Sequence, residues 1–170
     1  MNRFLLPLLL SPLLTSTALA QGTPLKQWAS AVVTRSSEYS ADGWAAKQAL
    51  GEPNTMTYGD NSLAWASASQ NGVAQSITVS FKEPVYADAV LVRETFGNGF
   101  VTRIFAIDTQ GGIHQVWAGQ DKTQPNYTVN FIATFPKTTY LVKAVKVVID
   151  PNHNMSAYEE IDAIQLQGTK

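Results

Sequence analysis

Ser76-Ile77-Thr78-Val79-Ser80-Phe81-Lys82 decides the fold class of this chain. Ile77, Val79 and Phe81 alternate with short polar residues and a lysine, a period of two that gathers the apolar side chains on one face of a strand and leaves the other face wet.

Outward from this run the same period recurs. Tyr127, Val129, Phe131, Ala133 and Phe135 alternate with Thr128, Asn130 and Thr134, and less regular β-rich runs cover residues 89–96, 101–107, 113–118 and 140–149. In the last of these Val145, Val147 and Ile149 share a parity that Lys143 breaks, the mark of a bulge or of a lysine that snorkels. Turn residues stand where strands should end: Glu83-Pro84, Asn98-Gly99, Gln110-Gly111-Gly112, Gln124-Pro125-Asn126, Pro136-Lys137 and Pro151-Asn152. Asn98-Gly99 is in addition a two-residue hairpin signal. Only residues 44–50 read as a helix, entered through Ser40 or Asp42 and stopped by Gly51, with Pro53 just beyond. Six or more strands with no helices alternating between them predict an all-β fold, an antiparallel β-sandwich of jelly-roll type with one short helix near residues 44–50.

The 170 residues are 45% apolar and 15% charged, with 12 Lys and Arg against 13 Asp and Glu and no Cys. That balance excludes a basic nucleic-acid binder, and the lack of cysteine excludes disulfides, thiolate zinc sites and thiol nucleophiles. Residues 1–20 are a different object: Arg3 precedes an apolar run from Phe4 to Leu14, and Ala18-Leu19-Ala20 supplies the small residues a signal peptidase reads, so cleavage before Gln21 is expected. The eleven residues of this run at ~1.5 Å each cover about half of a ~30 Å hydrocarbon core, too little for a span. The organisation expected is a signal peptide over 1–20, a polar leader over 21–26 and one sandwich domain over 27–168, exported to the periplasm or secreted, monomeric, and mildly acidic once Arg3 is gone. An exported domain without disulfides is held by its core, and ~150 residues can bury roughly 70% of the unfolded chain's surface.

A family resemblance is carried by an ordered series: Trp44, Ala49-Leu50-Gly51-Glu52-Pro53, Gly59-Asp60, Ala64-Trp65-Ala66, Pro84-Val85-Tyr86, Glu94-Thr95-Phe96 with Gly99 and Val101, Val116-Trp117-Ala118-Gly119, and Glu159-Glu160-Ile161-Asp162-Ala163-Ile164. The series resembles the galactose-binding-like (discoidin, coagulation factor 5/8 C-type) superfamily, in particular the scarf-like subgroup of pappalysins, an F-box leucine-rich-repeat protein and bacterial exported proteins. It spans residues 28–168. The resemblance implies a jelly roll that recognises carbohydrate, or sometimes protein or lipid, through loops at one end. It also implies a structural calcium between the loop after the first strand and a carboxylate near the last strand. Asn54, Asp60 and Glu160 are the residues so placed. Sugar-binding relatives tend to carry Asp-Gly-Asn in that loop, whereas Leu50 precedes Gly51 here, which removes a carboxylate; Asp60 and Glu160 can equally be a turn residue and a strand residue.

Sugar sites combine aromatic rings with planar polar groups. Tyr58 in the loop 54–58, Arg93 and Glu94 at a strand end, and Asn152, His153, Asn154 and Tyr158 in the loop 150–158 offer that mixture, though loops of any function use the same polar residues. Trp28, Trp44, Trp65 and Trp117 sit among Ala and Val and read as core packing. The sequons Asn126-Tyr127-Thr128 and Asn154-Met155-Ser156 matter only in a glycosylating host. Catalysis finds little support: His114 and His153 are the two histidines and neither stands in a hydrolase or metalloprotease motif. His114 reads as a hydrogen-bonded structural residue, and a Glu94 pairing with Glu159 or Glu160 is the remaining catalytic option. The expectation is a non-catalytic recognition module for carbohydrate, with a protein-interaction domain of an exported assembly as the alternative.

Overall fold

The computed structural model describes residues 22–170, so the expected signal segment lies outside the described residues. Eight strands follow in chain order: β1 (Pro24–Trp28), β2 (Ala31–Arg35), β3 (Gln75–Phe96), β4 (Val101–Asp108), β5 (Ile113–Ala118), β6 (Val129–Thr134), β7 (Leu141–Ile149) and β8 (Glu160–Thr169). All pairings among them are antiparallel.

The long β3 organises both layers. Its first part pairs with β2 and β7, and β7 continues to β4 and β5. Its second part pairs with β6 and β8, and β8 continues to β1. The ladder to β7 breaks between Ser80 and Val85, where the chain turns the corner from one layer to the other. Glu83-Pro84 thus marks a corner inside a continuous strand rather than a strand end; proline, which has no N–H to donate, is tolerated where the ladder is interrupted. The core between the layers draws Ile77, Val79, Phe81 and Val85 from the first part of β3, Val90 and Val92 from the second, and Ile104, Val145, Val147, Ile161, Ile164 and Leu166 from other strands.

Four sequence expectations need correction. The helix over 44–50 is a single 3-10 turn, Ala46–Ala49, because Trp44 at φ 54° lies outside the right-handed helical region and Ser40 bonds the Gly43 carbonyl rather than capping a helix. Gly51 does stop it, at φ 83°. Asn98-Gly99 is no hairpin: the second part of β3 and β4 lie in different layers and do not pair, and the buried Asn98 side chain donates to the Gln124 and Tyr127 carbonyls at 3.1 and 2.7 Å. Residues 89–96 are the second part of β3, not a separate strand. Tyr127 precedes β6 and is 71% exposed, while Phe131 and Ala133 are buried as the alternation requires. At Lys143 the structure shows the bulge: Ile107 faces Ala144 and Asp108 faces Val142, which leaves the exposed Lys143 without a partner on β4.

Register fixes which loops share an end. Gln75 and Val101 both face Ile149, Phe96 faces Glu160, Glu94 faces Val129 and Arg103 faces Ala118. The connections 36–74, 97–100, 119–128 and 150–159 therefore converge at one end of the sandwich. Among the described residues the opposite end has the corner at 81–84, the short link 29–30 beside it and the connections 109–112 and 135–140.

Candidate functional site at the loop end

The convergent end is irregular backbone, and irregular backbone has N–H groups with no ladder partner. Buried acids supply the acceptors. Asp162 Oδ2 accepts the Asn54 and Thr55 N–H groups at 3.1 and 3.2 Å. Glu160 accepts the Asn61 N–H at 3.1 Å and the Trp44 indole N–H at 3.1 Å. Glu159 Oε1 accepts the Asn154 N–H at 3.3 Å. Glu94 Oε2 accepts the Gly99 N–H at 3.0 Å and the Thr123 hydroxyl at 2.6 Å. Each of these acids ties one or more loops to the end of the strands.

Their burial has a charge cost. Glu94 is pushed up to about 9, first by burial and then by the neighbouring Asp121 carboxyl, against the pull of Thr123 and the Gly99 N–H. Burial lifts Glu159 to about 8. Burial and the nearby Asp60 lift Glu160 to about 8. Asp162 is raised as well, since burial outweighs the Thr55 and Asn54 contacts. At neutral pH Glu94 therefore holds its proton, so that a neutral carboxyl rather than a second negative charge is buried beside Asp121.

Two concavities open beside this belt. A groove of about 430 Å³ is lined by Met56, Thr57, Tyr58, Asn126, Tyr127 and Thr128. Tyr58 packs edge-to-face on Phe96 at 5.5 Å, and Arg93 holds one wall by donating to Thr128 Oγ1 at 2.7 Å and Asn130 Oδ1 at 3.3 Å. A smaller pocket of about 70 Å³ is lined by Tyr39, Trp44, Asp60, Ala66 and Tyr158.

All ten expected site residues thus lie at the loop end, but they separate. Tyr58 and Arg93 serve the groove, Tyr158 and Asp60 the smaller pocket, and Glu94 and Glu160 are anchors beneath the loops. Asn152 is spent on a two-way clasp with the Gly72 backbone at 3.0 and 2.7 Å, Asn154 Oδ1 caps the Ser156 N–H at 3.1 Å, and the His153 ring packs over Gly99. Asn54 meets Asp162 through its backbone.

Asn54, Asp60 and Glu160 do not fit calcium in this arrangement. The Trp44 indole N–H lies 2.8 Å from Asp60 Oδ1 and 3.1 Å from Glu160 Oε1, so a donor already bridges the two carboxylates. Among the described residues no three His, Cys, Asp or Glu side chains are grouped to hold a metal ion. Nor do Glu94, Glu159 and Glu160 offer a carboxylate pair to a substrate, since all three are fully buried. His114, on β5 toward the other end, is hydrogen-bonded to Asp108 at 2.8 Å and stacked on Tyr140.

Trp44, Tyr39 and Tyr127 were hidden from sequence reasoning. Trp65 is wholly buried and Trp117 packs on Phe131, whereas Trp44 is half-exposed beside the pocket. Its flanks, Ser40, Asp42 and Gly43, are loop residues, which was the available signal.

The chain is thus an antiparallel β-sandwich with two concavities among the loops of one end. Residues 17–170 match the model of the pappalysin-1 SD scarf domain, C-terminal, and the chain belongs to that family. No curated protein matches it. Solved structures share the fold at low identity. Reduced XRCC1 bound to the DNA polymerase β catalytic domain aligns with TM-score 0.64 and 13% identity, covering 86% of this chain and 100% of that one. The family 32 carbohydrate-binding module of Clostridium perfringens NanJ in complex with galactose aligns with TM-score 0.59 and 17% identity, covering 84% and 99%. The corresponding module of AlyQ in complex with 4,5-unsaturated mannuronic acid gives 0.56 and 17%, covering 84% and 97%.

Proposed function

We propose that this chain is an exported, non-catalytic carbohydrate-recognition module and that the groove between residues 56–58 and 126–128 is its sugar site. The observation that carries this is the groove's composition. Tyr127 and Met56 stand 71% and 70% exposed, Tyr58 is braced by Phe96, and the Asn126 amide and the Arg93-held Thr128 hydroxyl flank them. Apolar faces with a few placed polar groups in a cleft of several hundred Å³ suit a pyranose ring. The fold likeness to modules solved with galactose and with an unsaturated mannuronic acid supports the same reading.

The test is retention on immobilised glycans. A Tyr58→Ala, Tyr127→Ala double variant loses retention at unchanged melting temperature if the groove is the site. Absence of glycan binding by the parent, together with a co-purifying protein, favours the protein-docking alternative, for which XRCC1 offers a fold neighbour solved against a protein partner. Export rests on residues 1–20, and N-terminal sequencing of the mature product should begin at Gln21. Among the described residues no helix is long and apolar enough to cross a membrane.

A further inference from the structure

The small pocket differs from the groove in chemistry. Tyr39 meets Trp44 at 5.3 Å and 67° and Tyr158 at 5.5 Å and 81°, so both neighbouring rings stand steeply to Tyr39. Asp60 closes the box and Ala66 also lines it. No Lys or Arg lines it.

Trp44 is held there against its backbone preference. A bulky side chain at φ 54° is an outlier that persists only when its surroundings over-determine it, and such residues cluster at ligand clamps. Four hydrogen bonds do so here: its N–H to the Ser62 carbonyl at 2.9 Å, its carbonyl from the Ala66 N–H at 3.2 Å, and its indole N–H to Asp60 and Glu160.

We infer that this pocket binds a methylated ammonium head group. Aromatic walls attract a weakly hydrated cation through the ring quadrupole, and the Asp60 carboxylate adds charge complementarity. The scale agrees: this is the smaller of the two concavities at the loop end, walled by three aromatic rings, and suits a compact head group. Methylation follows from the donor count. A primary ammonium has three N–H donors to satisfy, whereas Asp60 is the one charged acceptor among the lining residues and three of the other four are aromatic, walls that favour methyl groups over N–H donors. The inference does not rest on the glycan groove, whose residues line a different concavity.

The experiment is NMR titration of the four tryptophan indole N–H signals with choline and with its neutral isostere 3,3-dimethylbutanol. Saturable movement of the Trp44 signal by choline, with at least ~10-fold weaker response to the isostere, is expected. Tyr39→Ala, at a half-exposed ring, and Asp60→Asn, which keeps an acceptor for the indole, should each weaken choline binding about 10-fold or more while the other three indoles stay in place. Equal binding of choline and the isostere, no movement of Trp44, or unchanged affinity in both variants overturns the proposal. Parallel titrations with phosphocholine and Nε-trimethyl-lysine identify the carrier of the head group by which binds more tightly. A glycan array run on Tyr39→Ala separates the two sites, since retention there should persist.

Discussion

The two ends of the sandwich solve the same problem differently. At the corner end, short connections are finished by exposed or half-exposed pairs: Asp108 with His114, Glu83 with Lys170. At the loop end, four connections are tied down by acids removed from water, Glu94, Glu159, Glu160 and Asp162. Closing short turns needs little beyond local bonds, whereas holding long loops in fixed arrangements takes buried acceptors, and those acceptors are costly to ionise.

The largest effects should follow from breaking the loop end sterically. A Cβ at Gly97 would lie 2.5 Å from the Tyr158 carbonyl oxygen, at φ 68°, so Gly97→Val should cost several kcal/mol, or folding itself, in chemical denaturation. Trp65→Ala removes a fully buried ring that also donates to the Ser37 carbonyl, and about 3–5 kcal/mol should go.

Next comes pH. For Glu94, Glu159 and Glu160 the folded values, about 9, 8 and 8, lie above the ordinary 4.5. The folded state therefore holds more protons than the unfolded state between those limits, and stability is complete below about pH 4.5 and drains as pH rises toward 8 and 9. Thermal melts from pH 5 to 9 should fall by about 2–4 °C for each kcal/mol lost. Glu94→Gln, which keeps a donor toward Asp121, should flatten that slope. A profile that rises over this interval contradicts the buried-acid account.

The smallest effects belong to the corner end and to metal. His114→Ala should change stability by less than about 1 kcal/mol, as half-exposed ion pairs do. Chelator should leave the melting temperature unmoved, since the Trp44 indole occupies the position between Asp60 and Glu160.

What was legible in the sequence was local. Ile77, Val79 and Phe81 declared their face by alternation, Gly51 its stop and Lys143 its bulge. What was not legible depends on distant pairing. That residues 89–96 continue β3 is settled by β8, some 75 residues downstream, and that Asn98-Gly99 joins two layers is settled by β4 pairing with β7. The site residues were found as loop composition, yet the division between groove, pocket and anchors turns on burial. Glu160 read as a ligand because its type and place allowed it, while Trp44 read as core because its alanine neighbours resemble a strand or helix.

The most direct measurement is glycan-array retention of residues 21–170 beside the Tyr58→Ala, Tyr127→Ala variant, with melting temperatures recorded on the same samples. Retention by the parent and its loss in an equally stable variant is the predicted result. Equal retention by both, at equal stability, would show that sugar binds away from the groove and contradict the account.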